Sequence, residues 1–287
     1  MVPLSLAPYL LFLTVLVSAD PTHFVLVRRG QFHNITDYAA IADGIRLKYG
    51  YPAAAHDAVA RRDEIKRASS ADISYQDFNY LATVCIGTPP QKLAVGLDTG
   101  SADLWVADSL CLACNKDTLT YNANDSSSNV GVGDPPIGQK IQLRYGIGEV
   151  NGTIASEVVS MGNFTIANIT FVQVNQIMVD GSTYLPHSGI MGLAFSSIAM
   201  THATPFWEVL SNGGQLQNKE MSFWLKRLGD LVGDVAPPNV TSGGIFTLGG
   251  TNTKYFSGEI DFIDMPTSNP TYWFLNMTSE STRCNRP

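Results

Sequence analysis

An all-β fold is predicted by three features of this 287-residue chain. From Tyr80 onward, short runs rich in Val, Ile, Leu, Thr and Phe carry the composition of half-buried strands. Gly, Pro, Asn and Asp break these runs at close intervals, where turns need them. Strands alternating with helical patterns of about 10–15 residues, which a doubly wound parallel sheet requires, are absent. The hydrophobic fraction of 45% is ample for a core.

Taken in order, residues 2–17 are apolar and uncharged, and Ser18 and Ala19 put small residues just before Asp20. This pattern predicts a secretory signal peptide over residues 1–19, cleaved after Ala19. A membrane anchor is the competing reading. The stretch is short for a span and carries Pro3 and Pro8, although it lacks the basic residues that usually open a signal. No stable membrane span is expected elsewhere.

Residues 20–67 end in two basic pairs, Arg61-Arg62 and Lys66-Arg67, which suit a dibasic-cleaving protease and make Ala68 the expected mature N-terminus. The segment holds eight Lys/Arg and six Asp/Glu, net +2, whereas residues 68–287 hold ten and nineteen, net −9. An acidic body argues against nucleic acid as a partner, because phosphate binding wants a positive patch on the folded part. The opposite charges fit a prosegment that docks on the body as its inhibitor and lets go in acid.

The expected strands then follow as LATVCIG, KLAVGLD, ADLWVAD, KIQLRYGIG, GTIASEVVSMG, FTIANITFVQVN, GIFTLGG and GEIDFIDM. Residues 122–129 read as a polar surface loop. One helix is expected near residues 204–210, with Thr204 as cap, Pro205 in the first turn and Asn212-Gly213-Gly214 as the stop. Seven Asn-x-Ser/Thr sequons, at Asn34, Asn124, Asn151, Asn163, Asn168, Asn239 and Asn276, agree with a secreted glycoprotein.

The chemistry concentrates in VGLDTGSADLWV. Asp98 follows an apolar run, Gly100 lets backbone approach a substrate, and the Thr99 hydroxyl can reach a neighbouring loop. Two such carboxylates sharing a proton have pKa values driven apart, so that one activates water while the other protonates a carbonyl. The chain has one Asp-Thr/Ser-Gly triplet. Asp108, Asp125 and Asp180 lack the triplet and read as surface. Cys111-Leu112-Ala113-Cys114 admits a redox pair, half a metal site or a small disulfide loop, but no second Cys/His pair completes a zinc set. No metal and no cofactor is therefore expected. Cys85 reads as a buried thiol. His187 and His202 have no nucleophile motif beside them and read as structural or exposed. Gly146, Gly148 and Gly152 do not make a phosphate loop, because a hairpin follows.

Together these motifs resemble the pepsin-like aspartic endopeptidases, secreted fungal members in particular, in order from about Tyr75 to Met277. YLATVCIGTPPQ looks like the entry strand, and Asp98-Thr99-Gly100-Ser101 with Trp105 like the first catalytic loop. Tyr145-Gly146-Ile147-Gly148 is similar to the tip of the flap that closes over substrate, and Gly189-Ile190-Met191-Gly192-Leu193 to the segment that buttresses the loop. MSFWL and Gly243 to Gly250 resemble strands leading toward a second lobe. The resemblance implies that Asp98 is catalytic, that Thr99 and Gly100 shape the loop, and that Ser101 hydrogen-bonds the carboxylate. It also implies that Tyr145, paired with Trp105, covers a bound peptide, and that Cys111 and Cys114 form a disulfide below the loop.

Three positions depart from the family pattern. Ile147 replaces a residue that is more often hydroxylated, Gly96 a bulkier one, and Ser188 an Asp. The implied organisation is an N-terminal catalytic lobe over residues 68–250, then interdomain strands and the start of a second lobe over residues 251–287. The second Asp-Thr/Ser-Gly expected a couple of dozen residues after Thr271-Tyr272-Trp273-Phe274 is missing, and TSESTRCNRP loses the strand pattern, as a C-terminal truncation would. The implied function is a secreted or vacuolar acid endopeptidase acting on proteins and peptides. The alternative is a catalytically incomplete lobe that is inactive or only binds peptide.

Overall fold

The computed structural model describes residues 22–28 at the level of the backbone, together with residues 80–111, 114, 118–134, 136–146, 148–179, 187–225 and 243–275. The signal peptide, both dibasic pairs, Asn34, Ile147, Asn239, Asn276 and Cys284 lie outside these residues. The fold is all-β, with one α-helix among the described residues. The strands are β1 (Thr22–Arg28), β2 (Tyr80–Ile86), β3 (Gln91–Asp98), β4 (Leu104–Ala107), β5 (Lys140–Tyr145), β6 (Gly148–Met161), β7 (Phe164–Val179), β8 (Gly189–Gly192), β9 (Met221–Leu225) and β10 (Gly244–Leu248). They hydrogen-bond in the order β5-β6-β7-β4-β8-β3-β2-β1-β10-β9.

Alternation explains how one sheet serves two cores. β4 is the apolar run Leu-Trp-Val-Ala, buried at every position. Successive side chains of a strand point to opposite faces. Leu104 and Val106 enter the main core with Val84, Leu93, Val95 and Phe171, while Trp105 enters a second cluster with Leu143, Val150, Ile154, Val172 and Val174. A continuous apolar run is what a strand covered on both faces requires.

Seven of the eight expected strands form. GEIDFIDM does not: residues 258–265 contain no strand, and Phe262 and Ile263 are 76% and 68% exposed. The run has strand composition, but a strand needs a neighbour to complete its ladder, and no described strand pairs with it. Thr271-Tyr272-Trp273-Phe274 likewise joins no strand. It docks instead through Trp273, whose Nε1 donates to the Leu193 carbonyl at 2.9 Å, and through a backbone bond from Phe195 N to Thr271 O at 3.4 Å. β1 is a strand the sequence reading passed over. It lies between β2 and β10, antiparallel to both.

The helix α1 spans Phe206–Asn212, with Pro205 rather than Thr204 at its N-cap and no side-chain cap. The Pro205 carbonyl accepts from the Glu208 and Val209 amides, both at 3.0 Å. Proline suits this end because the amide it lacks would have had no partner within the helix. Thr204 is exposed, and Cys85 is half-buried rather than buried. Residues 122–129 form the expected loop, with a short 3-10 turn at Ala123–Asp125.

Glycine is required where β8 passes β4. A Cβ on Gly189 would overlap the Trp105 carbonyl, whereas one on Gly96 would meet nothing closer than 3.9 Å. Gly189→Ala should therefore destabilise the chain by about 2 kcal/mol or more, and Gly96→Ala should change it by less than about 0.5 kcal/mol, as read from denaturant midpoints at equal slope.

Candidate active site

β3 and β8 run parallel, with Asp98 opposite Gly192. Asp98 ends the strand and the chain turns through Thr99 and Gly100. Three backbone bonds then hold the loop against the segment after β8: Leu193 N to Asp98 O at 2.7 Å, Ala194 N to Ser101 O at 2.8 Å, and Gly192 N to Asp103 O at 3.0 Å. A Cβ on Gly192 would overlap the Ser101–Ala102 backbone, so this close approach depends on glycine.

The half-buried Asp98 carboxylate accepts from both sides of its own turn. The Gly100 amide donates to Oδ1 at 2.8 Å and the Ser101 hydroxyl to Oδ2 at 2.6 Å. These bonds fix its direction. Thr99, expected to reach another loop, is exposed. Asp103, for which the sequence suggested no task, is buried and ties the loop to the next turn. Its Oδ1 accepts from the Thr201 amide at 3.0 Å and hydroxyl at 2.6 Å, and its Oδ2 from the Met200 amide at 2.9 Å.

Tyr145 lies where hairpin β5–β6 closes, opposite Gly148, with Gly146 in the turn. Burial, then the negative charges of Asp103 and Asp98, push its phenol well above the ordinary tyrosine range; Trp105 and Ser101 oppose the shift. The phenol thus keeps its proton and sits among Asp98, Asp103, Ser101 and Trp105. The expected pairing of Tyr145 with Trp105 is a neighbourhood rather than a closed bond, since the buried Trp105 Nε1 has no hydrogen-bond partner of good geometry.

His187 is buried beside Trp105, with ring centroids 6.3 Å apart, and its Nδ1 has no partner. Ser188, in place of the family's Asp, holds β8 to β3: its amide donates to the Ala94 carbonyl at 2.7 Å and its Oγ accepts from the Ala94 amide at 3.2 Å. Cys111 and Cys114 form the disulfide, with Cα atoms 5.5 Å apart. Among the described residues no group of three or more His, Cys, Asp or Glu could hold a metal, and no helix is long and apolar enough to cross a membrane. Of the sequons, Asn124, Asn163 and Asn168 are exposed. Asn151 is half-buried within β6, and its Nδ2 donates to Gln176 Oε1 at 3.3 Å.

The burial of His187 sets a pH dependence. Desolvation lowers its pKa from 6.5 to about 4, with the Gly189 backbone opposing. As pH falls, the unfolded chain takes up this proton near 6.5 and the folded chain only near 4, so stability is lost across that window and levels off below it. The loss should reach about 3 kcal/mol, and His187→Phe should remove it. Denaturant midpoints of both forms between pH 7 and pH 4 provide the measurement.

Residues 79–285 match the family model described as eukaryotic aspartyl protease. Major aspartyl peptidase 1 of Cryptococcus neoformans var. grubii is 38% identical over 200 residues, covering 69% of this chain and 39% of the relative. Cathepsin D of Gallus gallus is 30% identical over 254 residues, covering 85% and 56%. Pepsin A of Rhinolophus ferrumequinum is 32% identical over 208 residues, covering 72% and 49%. The chain spans about half the length of the curated relatives it matches.

Proposed function

The chain belongs to the eukaryotic aspartyl protease family, and from that premise we propose that it supplies one of the two catalytic carboxylates of a secreted or vacuolar acid endopeptidase made as a zymogen. The observation that carries this reading is the Asp98 carboxylate, held at the end of β3 by the Gly100 amide and the Ser101 hydroxyl. In that role Asp98 shares a proton with a second carboxylate, and the ionised member of the pair takes a proton from water while the other gives one to the peptide carbonyl. Tyr145 and Gly146 cover the peptide from the hairpin, and Trp105 supports the phenol from below. The substrates are peptides held extended beneath that hairpin.

For residues 20–67 the proposed role is an inhibiting prosegment. Its net +2 against the net −9 of the rest favours docking at neutral pH, and β1 gives the segment a place between β2 and β10. A second reading, an incomplete lobe that binds peptide without cutting it, is favoured by the single Asp-Thr-Gly within the 287 residues.

Two assays separate these readings. The 287-residue chain, shown to be monomeric, should not turn over denatured protein in acid, because one carboxylate cannot serve as base and acid together; turnover by a monomer would overturn the two-carboxylate reading. In a form that also carries a second Asp-Thr/Ser-Gly, Asp98→Asn should lower kcat by at least about 100-fold with expression unchanged. A near-normal rate there would place the chemistry elsewhere.

Secretion predicts a pattern of modification. In material exported by a eukaryotic host, site-resolved mass spectrometry should find glycan on the exposed Asn124, Asn163 and Asn168, and none on the half-buried Asn151, whose amide is bonded to Gln176 on the neighbouring strand β7.

A further inference from the structure

Glu157 is 1% exposed on β6, and among the described residues no cation faces it. Its Oε2 accepts from the Ser126 hydroxyl at 2.6 Å and the Tyr121 hydroxyl at 2.7 Å, and its Oε1 from the Val158 amide at 2.7 Å. The network extends outward. Asn129 Nδ2 donates to the Tyr121 oxygen at 3.0 Å, and the Thr88 amide donates to Ser126 Oγ at 2.9 Å. Ser128 Oγ donates to Thr88 Oγ1 at 2.7 Å, and the Ser127 amide to the Thr88 carbonyl at 2.8 Å. One carboxylate thus ties together β6, the 121–129 loop and the 87–90 turn that joins β2 to β3.

We propose that Glu157 is an acid-sensitive tether: ionised, it holds the loop and the turn against β6, and its protonation releases them and sets the lower pH limit of this part of the fold. Every donor around it points at an oxygen, so an added proton meets other protons, and the short charge-assisted bonds become ordinary ones. Tyr121 is the titratable group that faces Glu157 from the loop. Burial, then the bond and charge of Glu157, push its phenol upward, so it remains a donor throughout the acid range. β7 sets Ile169 opposite Glu157, and the nearest titratable residue of β2, Cys85, lies opposite Ser160. Asp125 is exposed and bonded to Asn122 Nδ2.

The direction of the effect follows. Burial alone raises the Glu157 pKa, but bonds from Ser126, Ser128, Tyr121 and the Val158 amide outweigh it and leave the group below its usual value. A depressed folded pKa gives stability that is complete above the unfolded value and is lost as pH falls through the folded one. The contribution of His187 is common to wild type and variants and cancels in their difference.

The test is the melting temperature of the full 287-residue chain, of Glu157→Gln and of Tyr121→Phe, from pH 7 to pH 2. At pH 7 both variants should melt lower than wild type by about 2–8 °C. As pH falls the gap should shrink, closing for Glu157→Gln once wild-type Glu157 is protonated. In NMR spectra, amides of Gly87, Thr88 and residues 121–129 should shift together with pH in wild type and stay fixed in Glu157→Gln. If Glu157→Gln does not fold, Tyr121→Phe decides alone. A gap constant from pH 7 to pH 2, or no gap at pH 7, overturns the proposal.

Discussion

The candidate site depends on the packing of two backbone segments with no side chain between them. β8 meets β4 and the loop at residues 101–102 so closely that Gly189 and Gly192 have no room for a Cβ, and that contact lets the Leu193 and Ala194 amides reach the Asp98 and Ser101 carbonyls. The loop bearing Asp98 is therefore clamped by main chain, which has fewer ways to relax than side-chain packing. What remains for side chains is aim. Gly100 and Ser101 direct the carboxylate, and Asp103 anchors the far end of the loop to residues 200 and 201.

The polar groups inside this fold divide by what holds them. Among the described residues, Asp103 and Glu157 are buried carboxylates without a cation: Asp103 is satisfied by the Met200 and Thr201 amides and the Thr201 hydroxyl of one turn, Glu157 by the Tyr121 and Ser126 hydroxyls of one loop and the Val158 amide of its own strand. Such groups specify which loop lies against which strand, since only one arrangement brings every donor into range. His187 and the Trp105 indole are buried with a nitrogen each left unpartnered, beside one another and near Tyr145. An unpaired buried polar atom costs stability, and here that cost falls next to the candidate site rather than in the main core.

Much of this was legible in the sequence, for identifiable reasons. Strand composition and turn residues located β2 to β7 and β10, and Asp98-Thr99-Gly100-Ser101 located the carboxylate, because those signals are local. GEIDFIDM carries an equally good local signal and forms no strand, since pairing depends on a neighbour and a short window cannot report one. β1 was missed for the converse reason: Thr22–Arg28 was read by its charge and its place near the N-terminus, although it finds β2 and β10 on either side. Asp103 and Glu157 stood in plain view as single acidic letters. Their partners lie 98 and 31 positions away at Thr201 and Ser126, and no periodicity joins residues so far apart.

The Trp273 indole closes on the Leu193 carbonyl across 80 positions of chain, and that carbonyl belongs to the residue whose amide clamps Asp98. Synthesis runs from the N-terminus at about 5–20 residues per second, so on the order of 10 s separate the two residues at the ribosome. For that interval the nascent loop has its carboxylate but lacks the indole behind it. The Asp98 turn therefore cannot have this support until Trp273 has been synthesised.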